Sequence, residues 1–137
     1  ESIMPIVRID IEAGKTTAYK RALLASVRRA VTTALEVPDE RVSLRVIETP
    51  PEDIDVHESR SDRFTLIEVA MIAGRDAEKK ERLYRSINLE LGRAPGIDTH
   101  DITVYVVDPP AECFCVGGVT AGNDVVQTEE ASEGAGE

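Results

Sequence analysis

Residues 14–23 read GKTTAYKRAL and residues 74–83 read GRDAEKKERL. A glycine, a cation, a polar helix start and a closing leucine occur twice, 60 residues apart. The match extends in both directions without a gap. Upstream, Ile6, Val7, Ile9 and Ile11 fall on Leu66, Ile67, Val69 and Met71. Downstream, Val42, Leu44, Val46 and Ile47 fall on Ile102, Val104, Val106 and Val107, and Pro50 falls on Pro110. Register held over so long a span marks a duplicated structural unit, not two unrelated amphipathic helices.

Within each unit the hydrophobic period changes in a fixed order. Residues 5–12 and 65–72 are β-branched runs with few polar breaks, the pattern of a largely buried strand. A glycine ends each run. Thr16 or Thr17 in the first unit and Asp76 in the second can cap a helix, because their oxygens accept from the free N–H groups of its first turn. Leu23, Val27, Ala30, Val31, Ala34 and Leu35 then recur at three- and four-residue steps, as do Leu83, Ile87 and Leu91. Pro38 with Asp39, and Pro95 with Gly96, stop these helices, and alternating strands follow over residues 42–48 and 102–108.

Each unit therefore reads β-α-β, and a crossover of this kind makes its two strands parallel. Two units predict an α+β fold, a tandem β-α-β repeat forming a four-stranded sheet with two helices on one face. The units are placed at about 5–53 and 65–118, joined by a loop at 49–64, within one domain covering 5–127. No further helix is available to cover the other sheet face. Apolar residues expected on both faces then predict an oligomer.

Composition agrees with a single soluble domain: 42% of the 137 residues are hydrophobic, and no apolar run approaches a membrane span. No basic region followed by an apolar stretch opens the chain, so no secretory leader is read, and cytoplasm is the default. A formal net charge of −10 argues against a nucleic-acid partner. Part of that charge lies in residues 128–137, TEEASEGAGE, which read as a disordered acidic tail. Cys113 and Cys115, in ECFCVGG, read as two small buried hydrophobes with Phe114 pointing the opposite way. They are not read as a metal site, since His57 and His100 sit in dissimilar contexts.

MPIVRIDIEAGKT at residues 4–16, the Gly-Lys and Gly-Arg helix openings, and PPAECFCVGG at 109–118 together resemble the tautomerase superfamily of 4-oxalocrotonate tautomerase. The chain looks most like its fused two-unit members, which include malonate semialdehyde decarboxylase and the cis-3-chloroacrylic acid dehalogenases. RSDRF at 60–64 also resembles uncharacterised fused relatives. The resemblance implies a homotrimer of pseudo-sixfold symmetry and cofactor-free chemistry on a small carboxylate. It centres that chemistry on a proline exposed by removal of the initiator methionine.

Here that proline is Pro5, after Met4. Glu1, Ser2 and Ile3 are read as vector-derived; were they native, Pro5 would be an ordinary imide and the family chemistry closed. As an N-terminal amine it titrates near 8, and burial lowers it further, so it can act as a general base at neutral pH.

The resemblance further implies that Arg75, and more weakly Lys15, hold a substrate carboxylate. It implies that Tyr105 positions substrate or water, and that Phe114 forms an apolar wall. Arg60 is a candidate for an extra cation. The second arginine of the decarboxylase and of the dehalogenases falls on Ala73 and Ile72, the tautomerase's second-strand arginine on Ser43 and Thr103, and the decarboxylase's acid near Asp39 or Glu40. The reading these residues imply is a keto–enol tautomerase of a small 2-oxo acid. A decarboxylase or hydratase in the same pocket and a non-catalytic trimer are the alternatives.

Overall fold

The computed structural model describes residues 4–121; the first three residues and the acidic tail lie outside them. Strand β1 (Ile6–Glu12), helix α1 (Thr17–Leu35) and strand β2 (Ser43–Thr49) form the first unit. Strand β3 (Thr65–Ala70), helix α2 (Ala77–Arg93) and strand β4 (Ile102–Val107) form the second. The sheet order is β2-β1-β3-β4. Each unit contributes a parallel pair, and the units meet through antiparallel β1 and β3, with Ile6 opposite Ala70 and Ile11 opposite Thr65. Because that central pair is antiparallel, equivalent points of the two units lie at opposite ends of the sheet.

The caps form as the sequence dictates. Thr16 Oγ1 accepts from Tyr19 N at 3.0 Å, and Asp76 Oδ1 from Lys79 N at 2.8 Å, each supplying a first-turn N–H with the acceptor it lacks. Gly14 and Gly74 precede them at φ 111° and 132°, a backbone region that a side chain would strain. Helix α1 ends at Leu35, before Pro38, because Glu36 turns left-handed at φ 57° and its N–H closes on Thr32 O.

Both helices pack on one sheet face. Val7, Ile9, Ile11, Ile67 and Val69 meet Leu23, Val27, Val31, Leu83, Ile87 and Leu91 there, all buried. A Cβ-period of two puts the alternate strand residues on the other face. That face is less apolar than expected. Ile6, Leu66 and Val107 share it with a polar network in which Arg8 reaches Asp10 (3.2 Å) and Glu68 (3.4 Å), and Tyr105 Oη donates to Glu68 Oε1 at 2.6 Å.

Beyond β4 the chain adds a short hairpin, β5 (Cys115–Val116) and β6 (Val119–Thr120), turning at Gly117 and Gly118. The sequence pattern did not reveal it, since two-residue strands carry no period. It also corrects the cysteines: Cys113 and Cys115 are exposed, one closing a 3-10 turn and the other opening a surface strand, so no continuous strand buries them.

Candidate functional site

Pro5 sits at the mouth of β1, buried, its carbonyl accepting from Ser43 N at 3.1 Å. The start of β1 lies between the start of β2 and the end of β3. Sequence neighbours of both strands therefore converge there: the α1–β2 connection on one side, the β3–α2 turn on the other. Between them opens a pocket of about 460 Å³ lined by residues 35–38, Arg41, Gly74, Arg75, Asp76 and Lys79.

Its charges divide clearly. Lys79 Nζ pairs with Glu36 Oε1 at 3.3 Å, and Asp76 is committed to the α2 cap. Arg75 has no ion-pair or hydrogen-bond partner among the described residues. An unpaired guanidinium beside the positive end of a helix favours an anionic occupant. Asp39 and Glu40 do not line the pocket; Arg41 does.

Lys15, the repeat partner of Arg75, lies about 20 Å away at the far end of β1, by strand rise alone. A second pocket of about 460 Å³ is found there, lined by residues 12–16, Tyr19, Asp62 and Arg63. Its lining repeats the first at Gly14, Lys15, Thr16 and Tyr19, but the loop before β3 enters it. Lys15 Nζ donates to Asp62 O (2.8 Å) and Glu12 O (3.4 Å), while Arg63 donates to Gly96 O and lies 5.2 Å from the Tyr19 ring centroid. Burial pushes the Tyr19 phenol above its ordinary value, and its oxygen has no hydrogen-bond partner among the described residues. Pro5's repeat partner, Thr65, is buried at this end and donates to Arg63 O at 2.9 Å.

Arg60 belongs to this far end too. With Ser59, Ser61, Asp98, His100 and Asp101 it lines a cleft of about 240 Å³ ahead of β4. Tyr105 stands mid-strand on the open face, its proton held by the bond to Glu68, by partial burial and by that carboxylate's charge, so it titrates above the ordinary phenol value. Phe114 is half-buried on the segment leaving β4 at the Pro5 end, its carbonyl accepting from Ala121 N at 2.9 Å. The structure thus brings Pro5 and Arg75 to one end of the sheet and Lys15 and Arg60 to the other.

Three cations escaped sequence reasoning. Arg41 and Lys79 line the Pro5-end pocket, and Arg45 lies exposed on the open face of β2, opposite Arg8. Only Arg45 left a signal, as a charge interrupting the apolar run from Leu44 to Ile47.

The family model Tautomerase_2, described as a tautomerase enzyme, matches residues 55–117, the loop and second unit. The chain's likeness is to the tautomerase superfamily. A fused 4-OT described as a wild-type symmetric trimer is 28% identical, with a TM-score of 0.75 over 85% of this chain and 98% of that one. Native fused 4-OT is 23% identical at a TM-score of 0.80, covering 88% and 98%. Malonate semialdehyde decarboxylase, described with decarboxylase and hydratase activities, is 24% identical at 0.75, covering 82% and 90%. At such identities the last two speak for the fold alone, a tandem β-α-β repeat shared along nearly their whole length.

Proposed function

We propose that the protein is a cofactor-free enzyme that moves a proton between the enol and keto forms of a small 2-oxo acid, with Pro5 as N-terminal base and acid in turn. The observation that carries this reading is that Pro5 and Arg75, which has no partner among the described residues, share one end of the sheet, where Arg75 lines a pocket large enough for a small acid. A substrate carboxylate on Arg75 holds the reacting carbon near the strand mouth. The Pro5 amine takes the enol proton and returns it to carbon. A secondary amine at that position is the kind of base the step needs.

The chemistry requires a chain beginning at Pro5, since acylation by Met4 removes the lone pair. A homotrimer completes the reading: the second sheet face is uncovered in the single chain, and fused 4-OT relatives are described as trimers. The test compares protein processed to begin at Pro5 with protein retaining residues 1–4, using phenylenolpyruvate. General base catalysis is typically worth roughly 10²- to 10⁴-fold, so the processed form should be faster by that order. Equal rates would remove Pro5 as the base.

A further inference from the structure

We propose that the outer face of α2 is a docking surface for this chain's own acidic segment, residues 122–137. The buried stripe of α2, Leu83, Ile87 and Leu91, packs into the core. On the opposite side Arg82, Arg85, Leu89 and Gly92 recur at three- and four-residue steps, with Arg93 beside them, and form a second stripe. Together with Thr99 they line a groove of about 710 Å³ that no carboxylate lines. Its leucine is 57% exposed.

Each arginine already meets a glutamate of its own helix: Arg82 and Glu78 at 4.0 Å, Arg85 and Glu81 at 3.5 Å, Arg93 and Glu90 at 3.7 Å. Glu90 is shared, because Arg29 holds its other oxygen at 3.0 Å. The three arginine side chains stay 42%, 69% and 66% exposed, and a guanidinium carries five donors, so each has room for a second carboxylate. Solvent-exposed pairs of this kind are weak and do not use up the cation.

Charge and reach select the occupant. Residues 122–137 lie outside the described part of the chain and hold Asp124, Glu129, Glu130, Glu133 and Glu137, with no lysine or arginine. Such a composition suits recognition of a basic surface by charge, and Val125 and Val126 give it an apolar pair to set on Leu89. Ala121, whose N–H donates to Phe114 O, sends the segment off beyond the end of β4, while Thr99 opens the turn that leads into the start of β4. The six residues of that strand span about 20 Å. An extended chain covers about 3.3 Å per residue, so Glu129, eight residues past Ala121, reaches about 26 Å, and Glu133 about 40 Å. A second copy of this helix face is a poor occupant, since it would set arginines against arginines. The trimer reading places the other copies on the opposite face of the sheet, which leaves this side open.

The experiment follows backbone amides of the full chain by NMR while salt rises from about 0.01 M to about 1 M, which shortens the screening length from about 30 Å to about 3 Å. Amides of Arg85, Leu89 and Gly92 and those of Glu129, Glu130 and Glu133 should shift along one common curve. Replacing the three glutamates together, Glu129→Gln, Glu130→Gln and Glu133→Gln, changes no residue of the folded core and should remove much of the shift at α2. The pairs within α2 respond to salt in both chains, so the difference between the two curves reports the segment alone. Arg85→Gln with Arg93→Gln should in turn remove the shift at the glutamates. Identical α2 curves in wild type and in the glutamine chain overturn the proposal. Shifts at α2 that follow protein concentration and ignore the glutamine substitutions name a second copy as the occupant and overturn it equally.

Discussion

Removing the charge of Asp101 should loosen the fold by an amount that depends on pH in a stated direction. Asp101 is 7% exposed and accepts two hydrogen bonds from Ser61, one from the backbone N–H at 2.6 Å and one from the hydroxyl at 2.7 Å. Burial alone would raise its pKa. The two bonds from Ser61 outweigh burial, the charges of His100 and Arg60 add to them, and the carboxyl is held below its ordinary 3.8. Hydrogen bonds to a charged group are worth about 1.5–3 kcal/mol each and neutral ones about 0.5–1.5. Asp101→Asn keeps one acceptor and loses the charge, so the net loss should be roughly 1–3 kcal/mol. For a chain of this length that is roughly 4–12 °C in Tm.

The sign of the pH effect follows from the depressed folded value. Stabilisation is complete above the unfolded pKa, and it fades as pH falls below 3.8 and through the folded pKa. Thermal melts of wild type and Asp101→Asn, at one protein concentration, should therefore differ at pH 7 and converge toward pH 3. Either of two results would refute this account: no gap at pH 7, or a gap of the same size at both pH values.

Two further outcomes are expected. Ile87 is fully buried and Leu89, two residues on, is 57% exposed, so Ile87→Ala should cost about 2–5 kcal/mol and Leu89→Ala less than about 0.5 in chemical denaturation; equal costs would place α2 on the wrong face. Light scattering should give three times the 15.0 kDa chain mass, and a stable monomer at micromolar concentration would end the trimer proposal.

The duplication was legible because buried strands and one-sided helices impose periods on the residues, and a 60-residue shift preserves both. Thr16 and Asp76 were legible as caps because few side chains can serve a helix start. The arrangement of the two units was harder to read. Nothing in the periodicity of residues 6–12 or 65–70 states that these strands pair antiparallel, and that pairing decides which residues share an end. Lys15 and Arg75 look equivalent in the repeat and are separated by the sheet. Arg41 and Lys79 were passed over because a charge beside a helix or strand end reads as solvated surface. The open face was misjudged for a related reason: Arg8, Asp10 and Glu68 are isolated charges in sequence and become partners only across β1 and β3.

The same antiparallel pairing explains why the two ends diverged. In a duplicated chain only one unit can own the N-terminus and only one connector can join the units. The connector must deliver the chain to the start of β3, which lies beside the end of β1, so it enters the Lys15 pocket and not the Arg75 pocket. There Asp62 O takes the Lys15 ammonium and Arg63 settles over Tyr19. At the opposite end Arg75 lines the pocket without a partner among the described residues, at the end of the sheet where Pro5 opens β1. Lys15 and Arg75 should accordingly answer differently to the same substitution. Arg75→Ala should lower kcat/KM for an acidic substrate by roughly tenfold to a thousandfold, the range for losing a charge-assisted contact, with little change in stability. Lys15→Ala should leave kcat/KM within about twofold and lower Tm, because it abandons two carbonyl acceptors, Asp62 O in the loop and Glu12 O at the end of β1. The reverse pattern would put the working site at the loop end and overturn the assignment of Pro5 with it.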